Sequence, residues 1–240
     1  MQPVLVIYAP DGFSLWPVAE TESDGYLALS GALGPAEVGT AVKCIAECND
    51  IDPEEDGRPP RPADPLDAFL HGLLTMDGTY ASGGLRVTDT TTGTTLLPGC
   101  CNGMSEWRDW LRVVDGAGRA SFGHDPSPLA ERLGDIVRLT VDGGYDVRRW
   151  WRGDGRRGEG RWRWWWRGGR ATVSTEDDGP VIELPVTELR RLLAGAERDL
   201  TDFLQLAADW AARHLPDHAT AVTSALAAAL DLPAPVAPSA

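Results

Sequence analysis

Two short stretches carry the residue types most able to do chemistry. One is Leu97-Pro98-Gly99-Cys100-Cys101-Asn102-Gly103, with two adjacent thiols on a turn. The other is Phe122-Gly123-His124-Asp125-Pro126-Ser127-Pro128, with an imidazole next to a carboxylate. A thiol at a strand end ahead of a helix faces backbone N–H groups that favour the thiolate. A histidine with a carboxylate behind it supplies a base and its orienter. Cys100, Cys101, His124 and Asp125 are therefore the candidate catalytic residues of a cysteine-dependent hydrolase or transferase. Their spacing matches no known nucleophile signature, and Asp ahead of Pro also makes an ordinary turn by bonding its own backbone.

The remaining cysteines form Cys44-x-x-x-Cys48. Read as part of a strand, they share a face roughly 13 Å apart. Zinc knuckles leave two or more residues between ligands, and adjacent cysteines seldom turn toward one ion. The sequence thus predicts four small reduced side chains, no metal site and no cofactor. No phosphate-binding loop, G-x-G-x-x-G, H-E-x-x-H or G-x-S-x-G is present. The carboxylates between Asn49 and Asp56 lack the glycine and terminal glutamate of a calcium loop.

Charge gives the strongest bulk signal. The 240-residue chain has a net charge of −14, although nine arginines between Gly143 and Arg170 face only Asp146, Asp154 and Glu159. The rest is therefore more acidic than the total. Such a body repels nucleic acid and anionic membrane; it favours basic protein partners, although solubility alone is the simpler explanation of the charge. The exception is the stretch at about 146–170, where six of the ten tryptophans sit among arginine and glycine. Trp162, Arg163 and Trp164 there, with Trp107 and Trp110 after the cysteines, are the candidate binding residues. Arginine beside tryptophan suits phosphate pairing with base stacking, or a lipid headgroup layer. The stretch lacks amphipathic period and reads as an inserted loop, so nucleic acid or membrane is a partner only if that loop is functional.

The elements around these residues follow from pattern. Val4–Tyr8 and Gly25–Leu29 read as strands, as does Thr40–Cys48, followed by a solvated acidic loop from Asn49 to Pro62. Asp64-Pro65 opens a helix. Gly83–Thr90 and Thr94–Leu97 make a hairpin around Thr91-Thr92-Gly93, leading into the cysteine turn and a short tryptophan-bearing helix. Ser127-Pro128 is expected to open a helix through Leu133, and Ile136–Val141 and Val181–Pro185 are expected as strands. A long helix from near Thr187 carries an apolar seam from Leu189 through Leu193, Ala196, Leu200, Phe203, Ala207 and Trp210 to His214. Pro216 reverses the chain into a last helix.

The motif Leu97-Pro98-Gly99-Cys100-Cys101, continued by Glu106-Trp107-Arg108-Asp109-Trp110, resembles a family of uncharacterised proteins from high-GC bacteria. The similarity extends from about Leu85 to Val141 and over the C-terminal helices, and it implies no activity. Lys43 as the sole lysine among 22 basic residues fits the same coding bias. The expected architecture is one α+β domain over residues 1–231, a largely antiparallel sheet covered by helices with a C-terminal helical hairpin, and a disordered tail at 232–240. With no leader-like or membrane-spanning run, the expected location is cytoplasmic. The leading functional expectation is a non-enzymatic acidic binding protein for a basic protein partner, immunity- or antitoxin-like.

Overall fold

The structure is a computed structural model that describes residues 1–9, 12–20, 24–116, 118–143 and 179–235. Trp162, Arg163 and Trp164, with the rest of the Arg/Trp stretch, lie outside the described residues. So do the last five residues of the tail.

The apolar run near the N-terminus forms β1 (Gln2–Ile7). It pairs antiparallel with β2 (Gly25–Ala28) on one side and β3 (Gly83–Thr88) on the other, and β3 pairs with β4 (Thr95–Leu96). A second antiparallel sheet takes β5 (Arg119–Ser121), β6 (Leu129–Leu133), β7 (Ile136–Thr140) and β8 (Val181–Pro185) in chain order. The period-2 pattern of β7 and β8 buries Val137, Leu139, Ile182 and Leu184, while Arg138 and Glu183 face each other on the outer side. The α+β class holds, with the antiparallel strands divided between two sheets.

Two expected elements change type. Thr40–Cys48 is not a strand but most of α1 (Pro35–Cys48). Pro35 sits in its first turn and the Glu37 side chain accepts the Gly34 N–H at 2.7 Å, which is the helix-start chemistry. Val38, Ala41, Val42 and Ile45 are also spaced for one helical face. The Ser127-Pro128 signal opens β6 rather than a helix, because Leu129–Leu133 is paired on both sides and Pro128 accepts a backbone hydrogen bond from Phe122. Tertiary pairing overrides the local signal. The acidic loop after Asn49 contains a short helix, α2 (Pro53–Asp56), and an ion pair between Asp50 and Arg61.

Of the remaining α-helices, the first starts from its expected cap, while the later three begin without a side-chain cap. α3 (Pro65–Thr75) is capped by Asp64, which accepts the N–H groups of Leu66 and Asp67 at 2.9 and 3.1 Å. A 3₁₀ helix (Met104–Arg108) runs into α4 (Asp109–Val114). α5 (Val186–His214) and α6 (Ala219–Ala229) form the C-terminal helical pair. At 29 residues α5 is ~43 Å long. It packs on β7 and β8 of one sheet and on β1 and α1 beside the other, so a single apolar seam serves both sheets. Every seam residue is buried except His214, which is exposed and stacks on Trp210 with ring centroids 4.9 Å apart. Among the described residues no helix is long and apolar enough to cross a membrane.

Candidate functional site

The site lies where the two sheets meet. Beyond β4 the chain turns through Gly99–Asn102, with Asn102 N–H bonded to Gly99 O at 3.3 Å. The segment after β5 runs alongside it. Gly99 N–H donates to Phe122 O at 2.8 Å, Cys100 N–H to His124 O at 2.6 Å, and His124 N–H to Cys100 O at 3.1 Å. An antiparallel bridge thus sets Cys100 opposite His124. The approach is close enough to require glycine on both strands. A Cβ on Gly99 would sit 2.1 Å from Pro126 O, and one on Gly123 would sit 2.6 Å from Cys100 O. Gly123 also has φ +93°, a conformation that costs glycine little.

The far end of the turn is held by a polar rack. Asn102, 2% exposed, donates from Nδ2 to Gly83 O at 2.6 Å, and its backbone carbonyl accepts from Gly83 N–H at 3.0 Å and from the Tyr80 hydroxyl at 2.9 Å. Tyr80 is in turn fixed by buried Asn49 at the end of α1, which bonds both its N–H and its carbonyl at 2.9 and 2.8 Å. Cys101 adopts φ +64°, a left-handed conformation that a residue with a Cβ resists, and Asp125 does the same at φ +51°.

The side chains converge. Cys100 Sγ and Cys101 Sγ are 3.4 Å apart, and those sulfurs and a ring nitrogen of His124 all lie within 4.8 Å of one another. His124 Nδ1 is 3.3 Å from Asp125 Oδ2. Both cysteines are exposed and the Asp125 side chain is open to solvent. Partial burial pushes the Cys101 thiol up, reinforced by the Cys100 thiol and the Glu106 charge. Burial likewise raises Glu106, against the stabilising Gly103 N–H it accepts at 3.1 Å. Tyr26 stands nearby, its hydroxyl donating to Pro98 O at 3.2 Å and its phenol raised by burial and by Cys100.

All four residues singled out as catalytic candidates therefore come together. Adjacent cysteines seldom turn toward one ion, yet here the two sulfurs lie side by side at a turn whose second residue, Cys101, is left-handed. Trp107 and Trp110, named as candidate binding residues, are each 1% exposed and packed in the core. Trp107 Nε1 donates to Leu230 O at 3.0 Å, next to an Arg108–Asp231 ion pair that fastens the end of α6. Trp110 stacks on Phe122 at 4.2 Å and anchors the His124 segment from below. Sequence reasoning missed Asn102, Tyr80 and Asn49. An asparagine directly after the cysteines was the visible signal, but its partners come from distant parts of the chain.

Comparison with protein-family models, with curated proteins and with solved structures finds no match to this chain. The function must be argued from the site itself.

Proposed function

We propose that the chain is a metal-binding protein that holds a thiophilic divalent cation of the zinc type, exchangeably, on Cys100, Cys101 and His124. The observation that carries this reading is the convergence of their three ligand atoms within 4.8 Å. Zinc sits about 2.3 Å from sulfur and about 2.0–2.1 Å from imidazole nitrogen, so ligands of one tetrahedral ion are roughly 3.5–3.8 Å apart. The sulfur pair is already near that separation, and small side-chain rotations bring in the imidazole. With Nε2 as the ligand atom, Asp125, 3.3 Å from Nδ1, is the outer carboxylate that orients a metal-bound histidine.

Electrostatics favours a cation over a nucleophile. A reactive cysteine needs a positive surrounding that lowers its pKa. Here the Cys101 thiol is raised, and Glu106 and Asp125 add negative charge. A divalent ion supplies the missing positive charge and displaces the thiol protons. The net charge of −14 strengthens the local attraction for cations. Three ligands leave a fourth position open. The turn is also held by its own hydrogen bonds, which supports an exchangeable ion over one required for folding.

The test is a zinc titration of the reduced chain against a chromophoric chelator, with cobalt or cadmium for thiolate charge-transfer absorption. One equivalent is expected to bind, lost in Cys100→Ser/Cys101→Ser and weakened in His124→Ala. Absence of saturable binding overturns the reading. Rapid iodoacetamide labelling of a single cysteine near neutral pH would instead support the cysteine-dependent hydrolase or transferase. The acidic-partner reading draws on bulk charge alone. Many exposed acids are already interleaved with arginines, as in Asp109–Arg112, Arg190–Asp115 and Glu188–Arg191.

A further inference from the structure

We propose that Cys100 and Cys101 are also a redox modification site, a vicinal dithiol that a low-molecular-weight disulfide such as oxidised glutathione converts to an internal disulfide, with loss of the bound cation. The sulfurs are 3.4 Å apart and both cysteines are exposed, so the pair is accessible and the second thiol is in place to resolve an adduct on the first. Neighbouring Cα atoms are about 3.8 Å apart, below the usual range of about 4.4–6.8 Å for bridged cysteines. A bond closed at this turn is therefore strained and readily reduced again, the character of regulatory rather than structural disulfides. The turn is clamped at both ends, by the Cys100–His124 bridge and by the Ser82–Gly103 bridge, so the sulfurs are kept adjacent.

The chemistry balances without further reactants. One cysteine thiolate attacks a sulfur of oxidised glutathione, forming a mixed disulfide and expelling one glutathione thiolate. The neighbouring thiolate attacks the protein sulfur, closes Cys100–Cys101 and expels the second. The two thiol protons of the protein are passed to the two glutathione thiolates, so two protein thiols are oxidised as one disulfide is reduced. Two of the three ligands are then consumed. Release of the cation rests on the metal-binding reading above, whereas the dithiol chemistry does not.

The test treats the reduced full-length chain with oxidised glutathione and reads the intact mass, followed by alkylation under denaturing conditions and peptide mapping. The expected product has lost two hydrogens, with Cys100 and Cys101 protected from alkylation and Cys44 and Cys48 alkylated. In Cys101→Ser the glutathione adduct is trapped on Cys100. Saturating zinc is expected to slow closure at least tenfold, and oxidation of the zinc-loaded chain to release zinc to a chelator. No oxidation, a persisting adduct on the unmutated chain, or a first disulfide that includes Cys44 or Cys48 overturns the inference. Closure in a chain that binds no zinc leaves this inference standing and removes the metal-binding reading; zinc binding without closure does the reverse.

Discussion

The chain places its four cysteines in two pairs, and the pair whose spacing looks better suited to a shared ligand is the one withheld from it. Cys44 and Cys48 are four residues apart on α1, which puts them on one helical face. Packing removes that face from use. Cys44 is 1% exposed, burial raises both thiols, and neither belongs to a group of three metal-ligating side chains among the described residues. Cys100 and Cys101 are adjacent, yet a left-handed turn and a bridge to His124 give them a common focus in solvent. The imidazole of His124, brought in by the segment after β5, distinguishes the pairs more than their spacing does.

The largest expected effect would break this contrast outright. Cys100→Ser/Cys101→Ser is expected to weaken zinc binding by more than the ~10–100-fold typical of losing an outer-sphere partner. Cys44→Ala/Cys48→Ala should leave the affinity within about threefold, as read by chelator competition. The reverse ranking would assign the ion to α1. Next is Gly99→Ala, where the new methyl meets Pro126 O. It is expected to cost about 2–3 kcal/mol in urea unfolding and to lower zinc affinity, while Gly78→Ala, with nothing within 4 Å, serves as the control.

Acidity and alkalinity should separate the pairs by sign. At the exposed pair the cation competes with thiol protons, so zinc affinity is expected to rise with pH by up to about tenfold per unit for each proton displaced. The pair on α1 acts on the fold. Burial keeps Cys44, Cys48 and Tyr80 neutral, with folded values above those of the unfolded chain, about 8.5 for a thiol and 10 for a phenol. Their contribution to stability is undiminished below about pH 8.5. It falls as the pH climbs through the raised folded values, because over that window the folded chain keeps protons the unfolded chain has lost. Urea midpoints between pH 7 and 11 check this, and Cys48→Ala should flatten the decline. The smallest effect is Cys101→Gly, which relieves the left-handed strain and is expected to stabilise the chain by up to about 1 kcal/mol while still losing a ligand. Thermal unfolding without metal reads the gain.

The legible parts of the fold were those with strong local patterns. The β1 run, the Asp64-Pro65 cap, the β3–β4 hairpin and the α5 seam each announce themselves within a few residues. Thr40–Cys48 misled because its apolar residues also alternate, and the deciding chemistry, Pro35 and Glu37, lies upstream. β6 misled because Ser-Pro is a helix signal until strands pair on both sides. At the site the reactive residues could be named from their types, but their meeting depends on Gly99 and Gly123 letting two backbones touch. The two tryptophans beside them drew attention as binding residues although Trp110 is a support beneath Phe122 and Trp107 a tether to Leu230.

The Cys100–His124 bridge has a mechanical consequence. It works as a clasp between two leaves, one ending in β4 and the other beginning at β5. Anything gripped there by side chains from both leaves adds a crosslink to a joint held at this point by a few backbone bonds and, behind it, by the α5 seam that both sheets share. Loading the clasp should therefore slow amide exchange at Gly99, Cys100 and His124 more than in either leaf, so that occupancy is read as local stiffness of the joint.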